Sequence, residues 1–344
     1  MTWRDIFLTP LPLVAVAFAM GLVFMPGKKF SRRLPPFDWA GFVLLCTAIV
    51  CLMSGIGNGQ RWGWDSNGIL GLSVIGFTAA GAFIYSQARN GAPLLDLKLF
   101  LNPRFAAAMV IAFAFGAGNF ATNYAIPVFT QTIQGFTPTE AGLVLAPAGL
   151  LLVLMIPFSG RLADRVPEHQ PIMVGVVMFA LAAYFFSQAD VNTPFIMMAL
   201  FAITSRLGLG LVMPNMGSAA MKAISNERLN QGAGTYNFTR QLGGAFGVNG
   251  LVVIMEQRTA VHADALAATQ TSANSLTREL IEKVERLLSE SGVPEALHHP
   301  GALDYLGKVL EAQANTFGFQ DGFMVIAAVF VAALIPAYIL RGTK

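Results

Sequence analysis

Apolar residues fall into nine long runs that are separated by shorter polar segments. The runs cover residues 9–26, 38–58, 68–88, 104–129, 140–160, 171–188, 194–221, 231–255 and 322–341. A helix that crosses the roughly 30 Å hydrocarbon layer of a membrane needs about 20 mostly apolar residues, and nearly all of the runs reach that length. Because a helix satisfies its own backbone polar groups in lipid, the pattern predicts an all-α, polytopic membrane bundle with about nine transmembrane helices.

Residues 256–320 differ from this pattern because they are mostly polar. Within them, leucine, isoleucine and valine recur every three or four residues, which is typical of an amphipathic helix. These apolar positions are Leu276, Leu280, Ile281, Val284, Leu287 and Leu288. We expect a solvated loop outside the cytoplasm that contains one amphipathic helix, capped by Ser275 or Thr277.

The same polar segment contains two adjacent histidines, His298 and His299. No acidic residue or third histidine stands at ligand spacing from them, so we expect no metal site. The segment is instead a candidate docking surface for a periplasmic adaptor protein.

The composition of the chain is typical of a protein embedded in a lipid bilayer. Of its 344 residues, 55% are hydrophobic and 12% are charged, and its mean hydropathy is +0.59. A soluble domain carries about 25% charged residues. The net charge of +3 is too small to indicate a nucleic-acid partner. Cys46 and Cys51 lie in one apolar run, where we expect them to be packing residues.

Lysine and arginine set the orientation of the predicted spans. If the loop with Lys28, Lys29, Arg32 and Arg33 is cytoplasmic, alternation puts the other basic loops on the same side. The three short loops on the opposite side contain one basic residue, Arg61. An excess of positive charge in cytoplasmic loops is the rule for multi-pass membrane proteins. The amino terminus is therefore predicted to lie outside the cytoplasm.

Ionisable residues are rare within the predicted spans. Arg206 and Arg240 lie deep in two of them, whereas Asp38, Glu140 and Asp321 are expected at helix starts near the headgroups. No Asp, Glu or His falls near the middle of a predicted span. Proton-coupled transport generally uses a buried carboxylate or histidine, so we expect the proton step to lie outside this chain.

Arg240 stands in the glycine-rich stretch YNFTRQLGGAFG, residues 236–247. An arginine keeps its charge, so it needs a partner acid, backbone carbonyls or a hydrated cavity, unless its side chain snorkels to the cytoplasmic surface. Gly243, Gly244 and Gly247 follow it, and small residues at this spacing let a neighbouring helix approach closely. We expect these helix-packing glycines to draw Arg240 into the protein, with snorkelling as the alternative.

A second motif, GRLADRVPEHQP, occupies the short loop at residues 160–171. Gly160 permits a tight helix exit. Asp164 can cap the next helix or accept hydrogen bonds from Arg161 or Arg165. Taken alone, the motif is typical of a basic cytoplasmic turn.

Several stretches resemble the major facilitator superfamily in family order along nearly the whole chain. GRLADRV is similar to the G-x-L-A-D-R loop motif of that superfamily, and NFTRQLGGAFG resembles the thirteenth-helix signature of the fourteen-span drug/proton antiporters. Further stretches, WRDIF, FDWAGFVLL, PLLDLKLFLNPRF and AIPVFTQTIQGFTPTEAGLVLAPAG, are similar to the same group. Val166 and Pro167 depart from the loop motif, and Arg206 departs from the family's glycine and leucine run.

The resemblance implies a bundle of major facilitator type that corresponds to the sixth to fourteenth of fourteen spans. Residues 1–36 would be the last helix of the amino-terminal bundle with its basic loop, 37–103 two linker helices, and 104–344 a six-helix carboxyl-terminal bundle with the extracytoplasmic loop 256–320. The missing amino-terminal half would contain the proton-titrating acids. The complete protein would export drugs or lipophilic compounds from a bacterial cell across the inner membrane, driven by the proton motive force.

By the same resemblance, the carboxyl-terminal bundle would supply one wall of the substrate cavity. Its candidate lining residues are Asn119, Asn123, Tyr124, Gln131, Tyr236, Asn237 and Arg240, with Phe113, Phe115, Phe120 and Phe129 as an apolar surface. The gating loop would use Gly160, Arg161, Asp164 and Arg165. No catalytic residue and no cofactor are expected.

Two other classes of function compete with a transporter. A membrane enzyme would need intramembrane acids, a histidine cluster or a nucleophile with a base, and the sequence contains none of these. A truncated or split-gene membrane subunit with a binding or scaffold role, without transport, remains open.

Overall fold

The computed structural model describes residues 8, 10–24, 37–163, 165–271 and 273–341. Throughout this part of the chain the long elements are α-helices, and it contains no β-strand. The prediction of an all-α membrane bundle is therefore confirmed.

The chain divides into two compact units, Met1–Phe37 and Asp38–Lys344. In the first unit, α1 spans Leu11–Phe24, and its 14 residues are fewer than the length that crosses a bilayer. The basic loop predicted after it lies outside the described residues.

Among its described residues, the second unit has nine helices of 16 residues or more. They are α2 (Trp39–Trp62), α3 (Asn67–Arg89), α4 (Pro103–Thr132), α5 (Pro138–Ala163), α6 (His169–Phe186), α7 (Phe195–Lys222), α8 (Leu229–Ala268), α9 (Ser275–Glu290) and α10 (His298–Ile339). Among the described residues, seven helices, α2–α7 and α10, are long and apolar enough to cross a membrane. The two remaining predicted spans correspond to the short α1 and to α8, whose first half is rich in glycines and amides.

Polar side chains determine where several of these helices begin. Asp38 caps α2 by accepting a hydrogen bond from the Gly41 amide at 2.9 Å, and Asn102 caps α4. Glu140, in the first turn of α5, accepts from the Thr137 amide at 2.8 Å. Asp38 and Glu140 therefore lie at helix starts, as predicted.

The linker helices α2 and α3 are joined at the same end by one buried amide. Gln87 of α3 donates to Asp38 at 2.7 Å and accepts from the Leu95 amide at 3.1 Å. The hydrogen bond from Gln87, together with that from the Gly41 amide, lowers the pKa of Asp38. Farther along α2, Met53 lies against Asn249 of α8, with 3.8 Å between the sulfur and the amide nitrogen.

Residues 256–320 are mostly helical and not the loop expected from their polarity. Residues 251–291 contain no glycine or proline and many alanines, which favour helix, so α8 continues to Ala268 for a total of 40 residues. α10 begins at His298 and runs for 42 residues. At the end of α8, polarity alone does not stop the helix, because glycine and proline are absent from that stretch.

Two finer predictions in this segment are wrong. Asn274, and not Ser275 or Thr277, caps α9, because its side chain accepts from the Leu276 amide at 3.1 Å. Asp321 lies in the middle of α10 and not at a helix start, since α10 begins well before the apolar run.

A cluster of phenylalanine rings fills the core between α4, α6 and α10. The ring centroids of Phe179 and Phe330 lie 4.4 Å apart, and Phe115 meets both rings edge-on. Phe129 packs edge-on against Phe323 at 6.3 Å. Phe115 and Phe129 are buried, so they belong to the core, whereas the sequence suggested a cavity surface for them.

Close contacts hold α7 against two neighbours. Asn215 of α7 donates to the Ser159 hydroxyl of α5 at 2.9 Å. Gly208 of α7 and Gly175 of α6 each face the other's carbonyl oxygen so closely that a side chain would collide with it. Arg206 lies just before this contact and is therefore carried by a well-anchored helix.

Candidate functional site

Glycines bring the backbones of α4 and α8 into direct contact. A side chain at Gly243 would collide with the backbone of Phe113, and one at Gly247 with the backbone of Ala117. A side chain at Gly244 would meet the ring of Phe120. The stretch that the sequence singled out for close packing thus lies in the α4–α8 contact.

Arg240 takes part in this contact through its backbone. Its carbonyl oxygen lies where a side chain at Gly116 would stand. The side chain of Arg240 is half-buried, and its Nε is buried without a hydrogen-bond partner among the described residues. The sequence suggested an acidic side chain or backbone carbonyls as partners of Arg240. Among the described residues, neither accepts a hydrogen bond from this Nε.

Arg206 of α7 reaches the amides that the sequence assigned to a cavity wall. Its guanidinium donates to the Asn119 Oδ1 at 3.3 Å and to the Asn123 Oδ1. Asn119 is half-buried and Asn123 is exposed. Sequence reasoning gave Arg206 no role because it departs from the family pattern, although its depth in an apolar span was a usable signal.

The other predicted cavity residues are distributed more widely. Tyr124 is exposed on α4, and Gln131, nearer the end of that helix, donates to the Pro127 carbonyl at 3.0 Å. Asn237 is exposed on α8 and donates to the carbonyl one turn before it. Tyr236 is buried against Gly217 of α7. The structure thus brings together Asn119, Asn123 and the additional Arg206.

The loop between α5 and α6 contains the predicted gating residues. Gly160 and Arg161 are exposed in the last turn of α5, and Arg165 is exposed in the turn that follows. Asp164 lies outside the described residues.

An ion pair beside this loop was not anticipated from the sequence. Glu168, just before α6, pairs with Lys222 at the end of α7. Burial acts to raise the pKa of Glu168, but the hydrogen bond and the charge of Lys222 outweigh it, so the pKa lies below the ordinary value of 4.5. The pair joins the loop between α5 and α6 to the helix that carries Arg206.

A second polar cluster joins α8 to α10 in the segment expected to be a loop. Asp321 Oδ2 accepts from Arg258 Nε at 2.5 Å and lies 2.8 Å from His262 Nε2. His298 contacts the Val293 carbonyl, and His299 contacts Glu285 of α9. These histidines therefore make contacts that hold α9 and α10 in place. Among the described residues, no group of three or more His, Cys, Asp and Glu side chains could hold a metal ion.

Seven apolar spans and glycine-mediated packing define a polytopic membrane protein. Comparison of its sequence with family profiles matches residues 1–248 to the Major Facilitator Superfamily, and the chain belongs to this family. Members of this family are transporters and not enzymes.

Curated relatives of the chain include several drug-resistance transporters. It is 24% identical over its whole length to the uncharacterized MFS-type transporter YhcA of Bacillus subtilis, and 27% identical over 85% of its length to the multidrug transporter protein MdtP of the same organism. It is 26% identical over 98% of its length to the tetracenomycin C resistance and export protein of Streptomyces glaucescens. The chain spans 64%, 51% and 63% of these three proteins, respectively.

Proposed function

We propose that the chain is part of a major facilitator exporter of drugs or other lipophilic compounds, coupled to protons when complete and located as a multi-pass protein in a bacterial inner membrane. Membership of the family supports transport. The names of two relatives, a multidrug transporter and a tetracenomycin C export protein, support drugs as the class of solute.

The observation that carries this proposal is a group of polar side chains on α4, here called the polar arc. It consists of Asn119 and Asn123, to which the Arg206 guanidinium of α7 donates. Asn119, Asn123 and the Arg206 guanidinium lie deep within helices that are otherwise apolar, and Asn123 remains exposed. Amides and guanidinium groups are costly in hydrocarbon, so we infer that this arc faces a hydrated passage and not acyl chains.

In this proposal the solute crosses between two helical bundles that rock around a central site. The helices α4–α8 and α10 supply one wall, which includes the α4 arc and Asn237, Tyr236 and Arg240 of α8. The proton-titrating acids belong to the amino-terminal bundle. The helical segment 256–320 is the surface where an adaptor protein in the periplasm would dock.

The loop between α5 and α6 is proposed to gate the passage. Asp164 would form charge pairs with Arg161 and Arg165 that hold one state and break in the other, and Gly160 would permit the tight exit from the helix before them. The pair of Glu168 with Lys222 supports this role because it ties the loop to α7. An Asp164→Asn variant should alter transport and the accessibility of the inner cavity; unchanged values for both would remove the gating role.

A binding or scaffold subunit without transport is the second candidate. The chain spans about half to two thirds of the length of the relatives named above.

Two measurements separate these candidates. The first is binding of a lipophilic dye to the purified protein in lipid nanodiscs, and the second is dye efflux from pump-deficient cells that express the complete reading frame. Exporter function predicts saturable binding together with efflux that stops when a protonophore collapses the proton gradient. Binding without efflux would identify the subunit role, and the absence of both would contradict both candidates.

A further inference from the structure

We propose that Arg206, Asn119 and Asn123 form an anion-binding site within the membrane span, which takes solutes with a carboxylate or similar anionic group on an apolar body. This inference rests on the proposed function and specifies the substrate class for it.

The first argument is the unbalanced charge of Arg206. A guanidinium stays protonated in proteins. Within the described part of the chain, its hydrogen bonds go to two amide oxygens, which are neutral. A cation at this depth is costly unless an anion or water accompanies it. The site therefore has a positive charge to offer to a solute.

The second argument is the geometry of the guanidinium. Asn119 and Asn123 stand one helical turn apart on α4, and both side-chain oxygens accept from the same arginine. This arrangement fixes the guanidinium and leaves further N–H donors free of those two bonds. The planar fork of an arginine matches a carboxylate, which it can bind through two parallel hydrogen bonds.

The third argument is the aromatic surface beside the amides. At 100° per residue, Phe113 and Tyr124 lie at nearly the same angle around α4, about a quarter of a turn from Asn123 on the side away from Asn119. Their exposed fractions are 36% and 39%. An apolar body can lie against these rings while its anionic group reaches Arg206. The site therefore selects for an amphipathic anion.

The rival explanation is a permanent counter-ion from another part of the transporter. A carboxylate of that origin would neutralise Arg206 and leave the site without preference for anions, or with preference for neutral or cationic solutes. The charge preference of binding therefore distinguishes the two explanations.

The test uses three fluorescent probes that share one apolar scaffold and carry an anionic, a neutral or a cationic group. Binding to the 344-residue protein in nanodiscs of zwitterionic lipid is measured by fluorescence anisotropy. The anionic probe should bind at least about tenfold more tightly than the neutral one. The difference in free energy between a charge-assisted and a neutral hydrogen bond corresponds to about that ratio of dissociation constants. Arg206→Gln should remove this preference, while Arg206→Lys should retain part of it.

Arg278→Gln is the matched control, because Arg278 is exposed on α9 and outside the bundle. It should keep the full preference for the anionic probe. Equal binding of all probes, preference for the cationic probe, or an anionic preference that survives Arg206→Gln would overturn the anion site but leave the exporter proposal intact. Binding of no probe would overturn both. If Arg206→Gln is poorly folded, loss of the preference in Asn123→Ala supports the site, and its retention there overturns it.

Discussion

The buried and exposed faces of α4 contrast in composition and in the way they are packed. The buried face presents Phe115 and Phe129 to the aromatic core, whereas the exposed face presents Asn119 and Asn123 to Arg206. A helix that only had to cross lipid would have an apolar exposed face. The comparison teaches that the buried face maintains the bundle, and we propose that the exposed face binds the solute. Substitutions on the two faces should therefore separate stability from binding.

The largest expected effect comes from the glycine contact that sets the spacing of α4 and α8. Gly243→Leu should lower the free energy of unfolding by about 3 kcal/mol or more, because the new side chain meets the backbone of Phe113 and the helices must separate. Unfolding by titration with SDS measures this change. Gly250→Leu on the same helix is the control, since nothing lies within 4 Å of a Cβ at that position; equal losses in both variants would contradict the close contact.

A somewhat smaller effect is expected from the aromatic core. Phe330→Ala should lower the free energy of unfolding by on the order of 3 kcal/mol by leaving a cavity beside Phe179 and Phe115. The same SDS titration applies. Phe77→Ala is the matched control because Phe77 is 68% exposed on α3. The folded fraction of Phe330→Ala should still bind the neutral probe. Selective loss of that binding would contradict the assignment of stability to one face of α4 and binding to the other.

On the exposed face, the expected effect is on binding and only slightly on stability. Asn123→Asp places a carboxylate beside Arg206 and supplies an internal counter-ion. The variant should lose the preference for the anionic probe, and its free energy of unfolding should rise by about 1 kcal/mol or less. Gln131→Glu, also on α4 but bonded to its own helix, should leave the preference intact. Persistence of the preference in Asn123→Asp would contradict the assigned site.

The smallest effect is expected outside both faces, at the ion pair of Glu168 and Lys222. The folded-state pKa of Glu168 is lowered, so the pair stabilises the protein above pH about 4.5, and this contribution disappears as the pH falls below that value. Glu168→Gln should cost about 1 kcal/mol or less at pH 7, because Lys222 is largely exposed, and less at pH 3 than at pH 7. SDS titrations at the two pH values measure it. Glu290→Gln, in an exposed pair on α9, is the control and should cost still less.

The helical elements could be predicted because membrane spans have an unambiguous apolar length. The ranges 39–62, 67–89 and 195–222 differ from the predicted spans by a few residues at most. Residues 256–320 could not be predicted in the same way, because polarity indicates where a chain meets water and does not indicate whether it remains helical. Ala268 and His298 are therefore helix ends that hydropathy alone does not reveal.

The candidate site was predictable in part for a related reason. Asn119 and Asn123 stand out as amides in an apolar run, so sequence alone indicates that they need partners. The identity of the partner depends on the tertiary structure, because Arg206 is 87 residues from Asn119 along the chain. The glycine motif in the sequence points instead to Arg240. Arg240 instead contacts α4 through its carbonyl oxygen at Gly116. The glycine motif thus reports helix packing, and the amides report the site.

The central claim is that the exposed arc of α4 faces water within the membrane. In a background with Cys46→Ala and Cys51→Ala, the reaction of Asn123→Cys with a charged, membrane-impermeant thiol reagent tests it directly. Leu150→Cys is the reference because Leu150 is 71% exposed on the apolar helix α5. The account predicts that Asn123→Cys reacts at least about tenfold faster, since a thiol ionises poorly in apolar surroundings. Equal and negligible reaction at both positions would place the arc in lipid and contradict the account.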